Sequence, residues 1–289
     1  MHIGVAYDLR SDYLALGYSE EETAEFDSEV TIDAICDALT GLGFRPERIG
    51  NAQKVAANLA AGMRWDGVFN FCEGLKGISR EAQVPALLEI YDIPYTFSDP
   101  LTSALTLDKA MCKRVARDCG VPTADFAVIE TPADAKKIRL PFPLFLKPVA
   151  EGSGKGVDEK SRVEDRKALE RVARALLTKF QQPVLVETFL PGREFTVGIT
   201  GTGGDASVLG VSEIVPKSNW VGDGYGLANK DTGWEDKVEI VGADPLSATA
   251  AGDVALAAWR ALRCRDGGRV DIRNDAHGKA HFIEVNPLA

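Results

Sequence analysis

The closing stretch RVDIRNDAHGKAHFIEVNPLA, from Arg269 onward, alternates apolar and polar residues on either side of a turn-forming run. Val270 and Ile272 alternate with Arg269, Asp271 and Arg273, and the pattern resumes from Phe282 to Val285 after Asn274-Asp275-Ala276-His277-Gly278. Such a pattern predicts a β-hairpin. Side chains alternate across a strand, so Arg269 and Asp271 share one face, and Glu284 and Asn286 share a face on the return strand. With the turn centred near Ala276–His277, residue 269 is expected opposite 284, with 271 diagonal to it. Val270, Ile272, Ile283 and Val285 are expected in a core.

The rest of the chain divides into three stretches. Over 1–97, Ile3 to Tyr7 and Gly67 to Phe71 read as strands, and Ile93-Pro94-Tyr95-Thr96 as a third, short one. Asp27 or Ser28 caps a helix to about Leu42, with Val30, Ala34, Ala38 and Leu42 on one face and Gly43 as terminator. Glu81 to Tyr91 reads as another helix. Strand–helix alternation predicts a parallel sheet with covering helices. The ligand edge then lies beyond the strand ends, in the loops after Tyr7 and Phe71. The first of these loops is acidic, and most of its charges suit simple solvation.

Over 98–182, Thr106 or Asp108 starts a helix through Cys119, stopped by Gly120 and Pro122. Phe126–Ile129 is a strand, Thr131 to Asp134 starts a short helix, PLFLKPV is an apolar strand, and Val163 to Phe180 is a charged surface helix. Over 183–289, PVLVETFL is a strand, Pro191-Gly192 turns the chain, and Glu194 to Val197 and Val208 to Ile214 are strands. Gly222 to Gly233 is a glycine-rich loop holding Tyr225 and Lys230, with Trp220 and Trp234 packing its base. Ser247 caps an alanine-rich helix over Ala248 to Arg263.

With 289 residues and 45% hydrophobic content, the chain is large enough for two or three domains with real cores. A formal charge of −10 argues against nucleic acid or an anionic membrane as the main partner. Five scattered cysteines without C-x-x-C support neither a zinc site nor a disulfide framework, and read as reduced cytosolic thiols. No signal peptide and no apolar run of membrane-spanning length is visible, so a cytoplasmic protein is expected. His277 and His281 flank a turn and are not read as a zinc pair.

Two carboxylates and an amide oxygen on one hairpin face suit Mg²⁺, which takes oxygen ligands and usually bridges substrate phosphates. A guanidinium there suits a phosphate or a developing oxyanion. The same residues would also serve as an ordinary solvated face. Lys147 is alone in an apolar strand; it either snorkels or meets a phosphate in a desolvated site. Lys109 sits in the first turn of its helix, the less favourable end for a cation, and needs an anionic partner there or is merely solvated. Glu151-Gly152-Ser153-Gly154-Lys155-Gly156 can bring backbone N–H groups to phosphate oxygens, and matches neither a Walker A loop nor a dinucleotide fingerprint. At Glu187-Thr188-Phe189-Leu190, extended backbone can read an adenine edge with one N–H and one C=O.

In this order, a strand lysine, a glycine lid, a Glu-x-x-Leu hinge, G-x-E-F-T-V and a terminal R-x-D…E-x-N resemble the ATP-grasp superfamily. Ala82-Gln83…Leu88-Glu89, Ile93-Pro94-Tyr95-Thr96 and Ser103-Ala104-Leu105…Asp108-Lys109 are similar to the D-alanine–D-alanine ligase family. The resemblance runs over nearly the whole chain. It implies an α/β, three-domain ATP-grasp architecture: an N-terminal Rossmann-like domain over 1–97, and two α+β lobes over 98–182 and 183–289 that clamp ATP. It implies that Lys109 and Lys147 hold ATP phosphates, that Glu187, Thr188, Phe189 and Leu190 form the adenine hinge, and that Glu194 meets the ribose. Ser153 matches the lid, Lys230 the lysine of the later loop, and Asp271, Glu284 and Asn286 the ligands of two Mg²⁺ ions, with Mn²⁺ as a substitute. Arg269 matches the arginine that steadies the acyl-phosphate and tetrahedral states, and Glu29 the acid near the first substrate's amine.

The implied reaction joins two small amino acids into a D-alanyl-D-alanine-type dipeptide through an acyl phosphate, in peptidoglycan biosynthesis, by a homodimer. Three features depart from the family. Glu73 stands where a histidine is usual and the following G-E-D-G is absent. The first loop is longer than usual and lacks a G-G-x-S pattern. The family also continues past Asn286-Pro287-Leu288-Ala289 with a glycine, a substrate-binding serine and a closing helix. The first departure favours an ATP-grasp ligase for other amino or hydroxy acids, and the last a nucleotide-binding remnant without catalysis.

Overall fold

The computed structural model describes residues 1–220, 222–224, 226–230 and 233–288, so Tyr225 lies outside the described residues. The chain divides into two compact units: Met1–Ala104 with Cys264–Gly267 and Pro287–Ala289, and Leu105–Arg263 with Gly268–Asn286.

The first unit runs β1 (His2–Ala6), α1 (Arg10–Ala15), α2 (Glu29–Gly41), β2 (Arg45–Gly50), α3 (Ala52–Ala60), β3 (Gly67–Asn70), α4 (Gln83–Ile90) and the start of α5 (Pro100–Leu107). Its sheet has the order β2-β1-β3 and is parallel throughout. Ile93–Thr96 adds only an isolated bridge from Tyr95 to Val68, not a strand. Ser28 Oγ accepts from Thr31 N at 3.4 Å and starts α2, so of the two caps the sequence offers it is Ser28 and not Asp27. The buried face of that helix differs from the expected one. Val30 and Leu42 are 77% and 73% exposed, while Ile32 and Leu39 are buried with Ile35 and Cys36 against them. Two stripes were available on α2, and the one with the larger branched side chains wins the core, because burial scales with apolar area. The segment β2–α3 has no strong pattern in the sequence: β2 reads Arg-Pro-Glu-Arg-Ile-Gly and buries only its last two residues.

The second unit runs α6 (Lys109–Asp118), β4 (Phe126–Ile129), β5 (Leu144–Pro148), β6 (Arg162–Val163), α7 (Arg166–Phe180), β7 (Val184–Thr188), β8 (Glu194–Thr200), β9 (Ser207–Pro216), α8 (Leu227–Lys230), β10 (Val238–Gly242), α9 (Pro245–Ala261), β11 (Gly267–Asn274) and β12 (Ala280–Asn286). It holds two antiparallel sheets, ordered β4-β7-β5-β6 and β10-β9-β8-β11-β12. Alternation decides which residues face the helix and which face the site. Leu144, Leu146, Val184 and Val186 pack with Leu169, Val172, Ala173 and Leu176 of α7. Phe145, Lys147 and Glu187 therefore point to the opposite face. In the second sheet Val197, Ile199, Val270 and Ile272 are buried, as are Ala251, Ala255, Ala258 and Trp259 of α9. The helix begins earlier than predicted, capped by Asp244, whose carboxylate accepts from Ser247 N at 3.0 Å. Pro245 at the first turn supplies no N–H and is tolerated there.

The hairpin forms, with a corrected register. Arg269 pairs with Asn286 and Asp271 lies directly across from Glu284, then the ladder shifts so that Ile272 pairs with Phe282. Ile283 is the extra residue of a bulge. It leaves the core, its expected place, and lines the cleft described below, while Phe282 is fully buried instead. The turn closes by Asp275 N donating to Lys279 O at 2.9 Å, so it is centred on His277, close to the expected centre, and the bulge adds the rest of the register shift.

Candidate active site

Alternation and capping bring the charged residues of the second unit into one cleft of about 840 Å³. Asp108 caps α6, accepting from Ala110 N at 3.0 Å and Met111 N at 2.9 Å, which leaves Lys109 as the first helical residue. Its ammonium donates to Glu151 O and stands 3.6 Å from Glu284 Oε2. Lys147, 7% exposed, lies 3.1 Å from Glu187 Oε2 and 3.8 Å from Glu284 Oε2. The anionic partner that Lys109 needs is thus Glu284, and Lys147 does not snorkel. Burial alone would lower the Lys147 pKa; Glu187 and then Glu284 outweigh it and raise it. Burial would raise Glu284, but Lys109, Lys147, Lys230 and Arg269 hold it down at about 2.

Asp271 Oδ1 accepts from Thr196 Oγ1 at 2.8 Å and from Arg269 Nε at 3.2 Å. Asn286 keeps an unpartnered buried Nδ2 among the described residues. Asp271, Glu284 and Asn286 offer oxygen donors, two of them carboxylates facing each other, and so fit a hard cation. Among the described residues no three His, Cys, Asp or Glu side chains form a complete metal cage. An ion held here would complete its shell from water and substrate phosphate.

The walls of the cleft are partly aromatic. Phe145 and Phe189 stack at 6.2 Å between centroids, and Arg162 and Arg273 lie over the Phe189 ring at 4.6 and 5.2 Å. At the hinge, Thr188 N donates to Asp125 O at 2.8 Å and Phe189 N to Pro143 O at 3.1 Å. Those two donors are occupied, and Leu190 N–H is the hinge donor left without an acceptor among the described residues. Glu194 stands 3.3 Å from Arg273; burial raises its pKa, opposed by Arg273.

Two glycine loops meet beside the cleft. A Cβ on Gly226 would stand 2.5 Å from Val157 O, and one on Gly156, at φ +75°, would stand 2.6 Å from Pro148 Cγ. Only glycine permits these approaches. Ser153 sits in the first loop, half-buried, at φ +50°. Lys230, at the end of α8, lines the cleft from the second. Trp220 Nε1 donates to Gly222 O at 2.8 Å, so it braces the loop, whereas Trp234 is 38% exposed.

Glu29 belongs to the first unit. It is exposed, with Arg48 at 2.9 Å. The carboxylates that this unit buries are others. Asp8 accepts from Tyr13 Oη and from Gly74 N at 2.8 Å. Burial, and then Asp8, push Asp27 up to about 6. Burial, with Glu81 and Glu25, raises Glu73 well above the carboxylate range against the opposing Arg80. Arg80 itself pairs with Glu25 at 2.9 Å, both buried. An acid raised in the fold contributes stability below its unfolded pKa near 3.8 and loses it as pH rises through about 6. Asp27→Asn is therefore expected to stabilise the protein at pH 7.5 by about 1–2 kcal/mol, after allowance for partial solvent screening. Urea midpoints at pH 4 and 7.5 check this: the variant's gain should vanish at the lower pH.

Sequence reasoning missed Lys113, Arg273 and Lys155. Lys155 lines the cleft and pairs with Glu151 at 2.6 Å. Arg273 could have been found, since it shares the hairpin face of Asp271 by alternation. Lys113 follows Lys109 by one helical turn, the spacing that puts two residues on one face.

Two antiparallel sheets with paired lysines, a hinge and an acidic hairpin in the second unit define the ATP-grasp class of architecture. A family model described as "D-ala D-ala ligase C-terminus" matches residues 115–289. A D-alanine–D-alanine ligase of Bordetella petrii is 36% identical over 86% of this chain and 74% of its own length. An uncharacterized protein, y4sG, of Sinorhizobium fredii is 33% identical over 76% of this chain, which spans 65% of that protein, just under two thirds of its length. The crystal structure of a D-alanine–D-alanine ligase from Bacillus anthracis matches with a TM-score of 0.73 at 22% identity, over 100% of this chain and 87% of its own; its complex with ATP matches at 0.66 and 20% identity, over 100% and 86%. This chain belongs to the D-alanine–D-alanine ligase family. Among the described residues no helix is long and apolar enough to cross a membrane, and the five cysteines are free thiols.

Proposed function

We propose that the chain is an ATP-dependent carboxylate–amine ligase that forms a D-alanyl-D-alanine-type dipeptide and releases ADP and phosphate. The observation that carries this reading is the convergence of Lys109, Lys147 and Glu284 in a cleft also walled by Phe145 and Phe189. The two sheets of the second unit act as the clamping lobes. The hinge 187–190 receives the base, with Leu190 N–H as its donor, and Glu194 meets the ribose. Lys109 and Lys147 hold phosphate oxygens under the loop that carries Ser153, with Lys230 from the later loop. Asp271, Glu284 and Asn286 would hold Mg²⁺, as two ions, and bound there it would supply charge neutralisation for phosphoryl transfer.

Phosphoryl transfer depends on positioning and charge more than on covalent help. A substrate carboxylate attacks the γ-phosphorus and ADP leaves. The amine of a second amino acid attacks the acyl carbon of the resulting acyl phosphate, and phosphate leaves. Arg269 stabilises the negative charge that develops on the way. Glu29 can meet the first substrate's amine only by exchanging Arg48; Asp27 and Glu73, in buried surroundings, are the alternative carboxylates. By family resemblance the enzyme works as a cytoplasmic homodimer.

Phosphate release from Mg²⁺-ATP, measured against a panel of D- and L-amino acids and hydroxy acids with products read by mass spectrometry, tests the proposal. Release with D-alanine alone, giving the dipeptide, is the expected result. A second reading, ligation of another amino- or hydroxy-acid pair, is favoured by Glu73, which joins Glu25, Asp27 and Glu81 where the family carries a histidine. Release only with another pair would select that reading. Silence across the panel with ATP still bound would overturn both and point to nucleotide binding without ligation.

A further inference from the structure

Lys113 is fully buried, with 0% exposure, and stands outside the cleft. Its ammonium donates to Thr123 Oγ1 at 2.7 Å and to Phe282 O at 3.2 Å, and lies 2.6 Å from Glu187 Oε1. Thr123 Oγ1 also donates to Phe282 O, at 2.9 Å, so Lys113 Nζ sits in a closed ring of acceptors drawn from the segment before β4, from β12 and from β7. All three directions of the ammonium are taken up within the protein. Lys113 cannot itself reach a ligand, but the carboxylate it touches does line the cleft.

A buried ammonium is an expensive way to tie a helix to a sheet. Replacing a buried ion pair by packed apolar side chains is often neutral or stabilising. A leucine or methionine would serve for packing alone, so the charge at residue 113 has a use beyond cohesion. The geometry at Glu187 indicates what that use is. Lys147 takes Oε2 at 3.1 Å. Lys113 stands 2.6 Å from Oε1, a charge-assisted contact, and a carboxylate oxygen with one such partner still has a lone pair to offer. Held by two cations, the carboxylate is fixed in place and presents an acceptor with capacity to spare.

We propose that Lys113 is a positioning residue for nucleotide selection: it locks the Glu187 carboxylate as an acceptor-only group at the hinge, so that the cleft admits a base bearing an exocyclic amine and rejects one bearing a carbonyl there. The inference rests on the reading of the cleft as an ATP site. An ionised carboxylate accepts and cannot donate. Sites built on a hydrogen bond discriminate strongly against analogues that leave a buried polar group unpaired.

The test is calorimetry with Mg²⁺-ATP and Mg²⁺-ITP, whose hypoxanthine carries a carbonyl where adenine carries an amine. For Lys113→Met, ATP affinity is expected to fall about 30-fold and ITP affinity at most about 3-fold, so the ATP preference shrinks about tenfold. On a Glu187→Gln background the same substitution should add less than about 3-fold, because both changes act through one group. Equal losses for the two nucleotides, or the full factor retained on the Gln background, would overturn the proposal and leave Lys113 as a structural tie. Thr123→Val provides a second route if Lys113→Met does not fold. It loosens the ammonium without removing its charge, and should weaken ATP more than ITP; equal weakening again overturns the idea. Failure of the wild-type protein to bind ATP would instead bring down the nucleotide reading itself, and this inference with it.

Discussion

Glu284→Gln is expected to reduce ATP-dependent turnover by at least about 10³-fold with the fold retained. The substitution keeps shape and removes one negative charge from the point where three demands meet. Glu284 is the shared partner of Lys109 at 3.6 Å and Lys147 at 3.8 Å, and it lies directly across the hairpin from Asp271. In the proposed site an amide would weaken cation binding and leave two lysines without a common anion, so both the proposed metal side and the proposed phosphate side would be disturbed. The side chain is 23% exposed, so the neutral amide can be hydrated and global unfolding is not expected. A second readout follows from its titration. Glu284 is held below its ordinary value of 4.5, at about 2, so it contributes stability above pH 4.5 that is lost as pH falls through about 2. The Gln variant should lack that part of the acid-unfolding profile. Phosphate release and acid titration followed by circular dichroism check both arms, and normal turnover would overturn the proposed role of Glu284 as a metal ligand.

Lys147→Ala should cost about 100-fold in ATP affinity, and it should also cost stability. Its ammonium is 7% exposed and lies between two carboxylates. Deleting it leaves Glu187 buried with Lys113 alone, and removal of one partner from a buried ion pair typically costs about 3–5 kcal/mol. The three-cation, two-carboxylate arrangement softens that figure, because Lys113 still faces Glu187 and Lys109 still faces Glu284. Lys147→Met separates the two effects. It preserves most of the buried volume, so the loss of affinity should persist while part of the stability returns. Calorimetry with Mg²⁺-ATP and urea melts measure them, and an ATP affinity unchanged from wild type would make Lys147 a bystander.

How much of this was legible beforehand depended on the range of the interaction. Local signals read well. Ser28 and Asp108, each one of two candidates offered, cap their helices, and Phe126–Ile129 is a strand end to end. The apolar strand with a single lysine turns its leucines to α7 and its lysine to the cleft, as alternation requires. Where two local answers were possible, tertiary packing chose. On α2 the stripe with Ile32 and Leu39 took the core from the stripe with Val30 and Leu42. In the hairpin, pure alternation could not reveal the bulge, so Asp271 was expected diagonal to the carboxylate it faces directly. The contacts of Lys113 were illegible for a different reason. Its partners, Thr123, Glu187 and Phe282, lie on three separate segments, and no period within α6 encodes them. Glu29 is a candidate site acid by resemblance alone; a carboxylate at a helix start also complements the dipole, and its side chain is exposed beside Arg48.

The extra residue at Ile283 constrains how the closing segment can change over generations. Inward and outward positions exchange parity once along β12, between Phe282 in the core and Glu284 in the cleft. One amino acid gained or lost between Ala280 and Asn286 would turn one of those two the wrong way, because a single-residue slip inverts every face beyond it. Side chains there can drift one substitution at a time, while the length of the segment cannot.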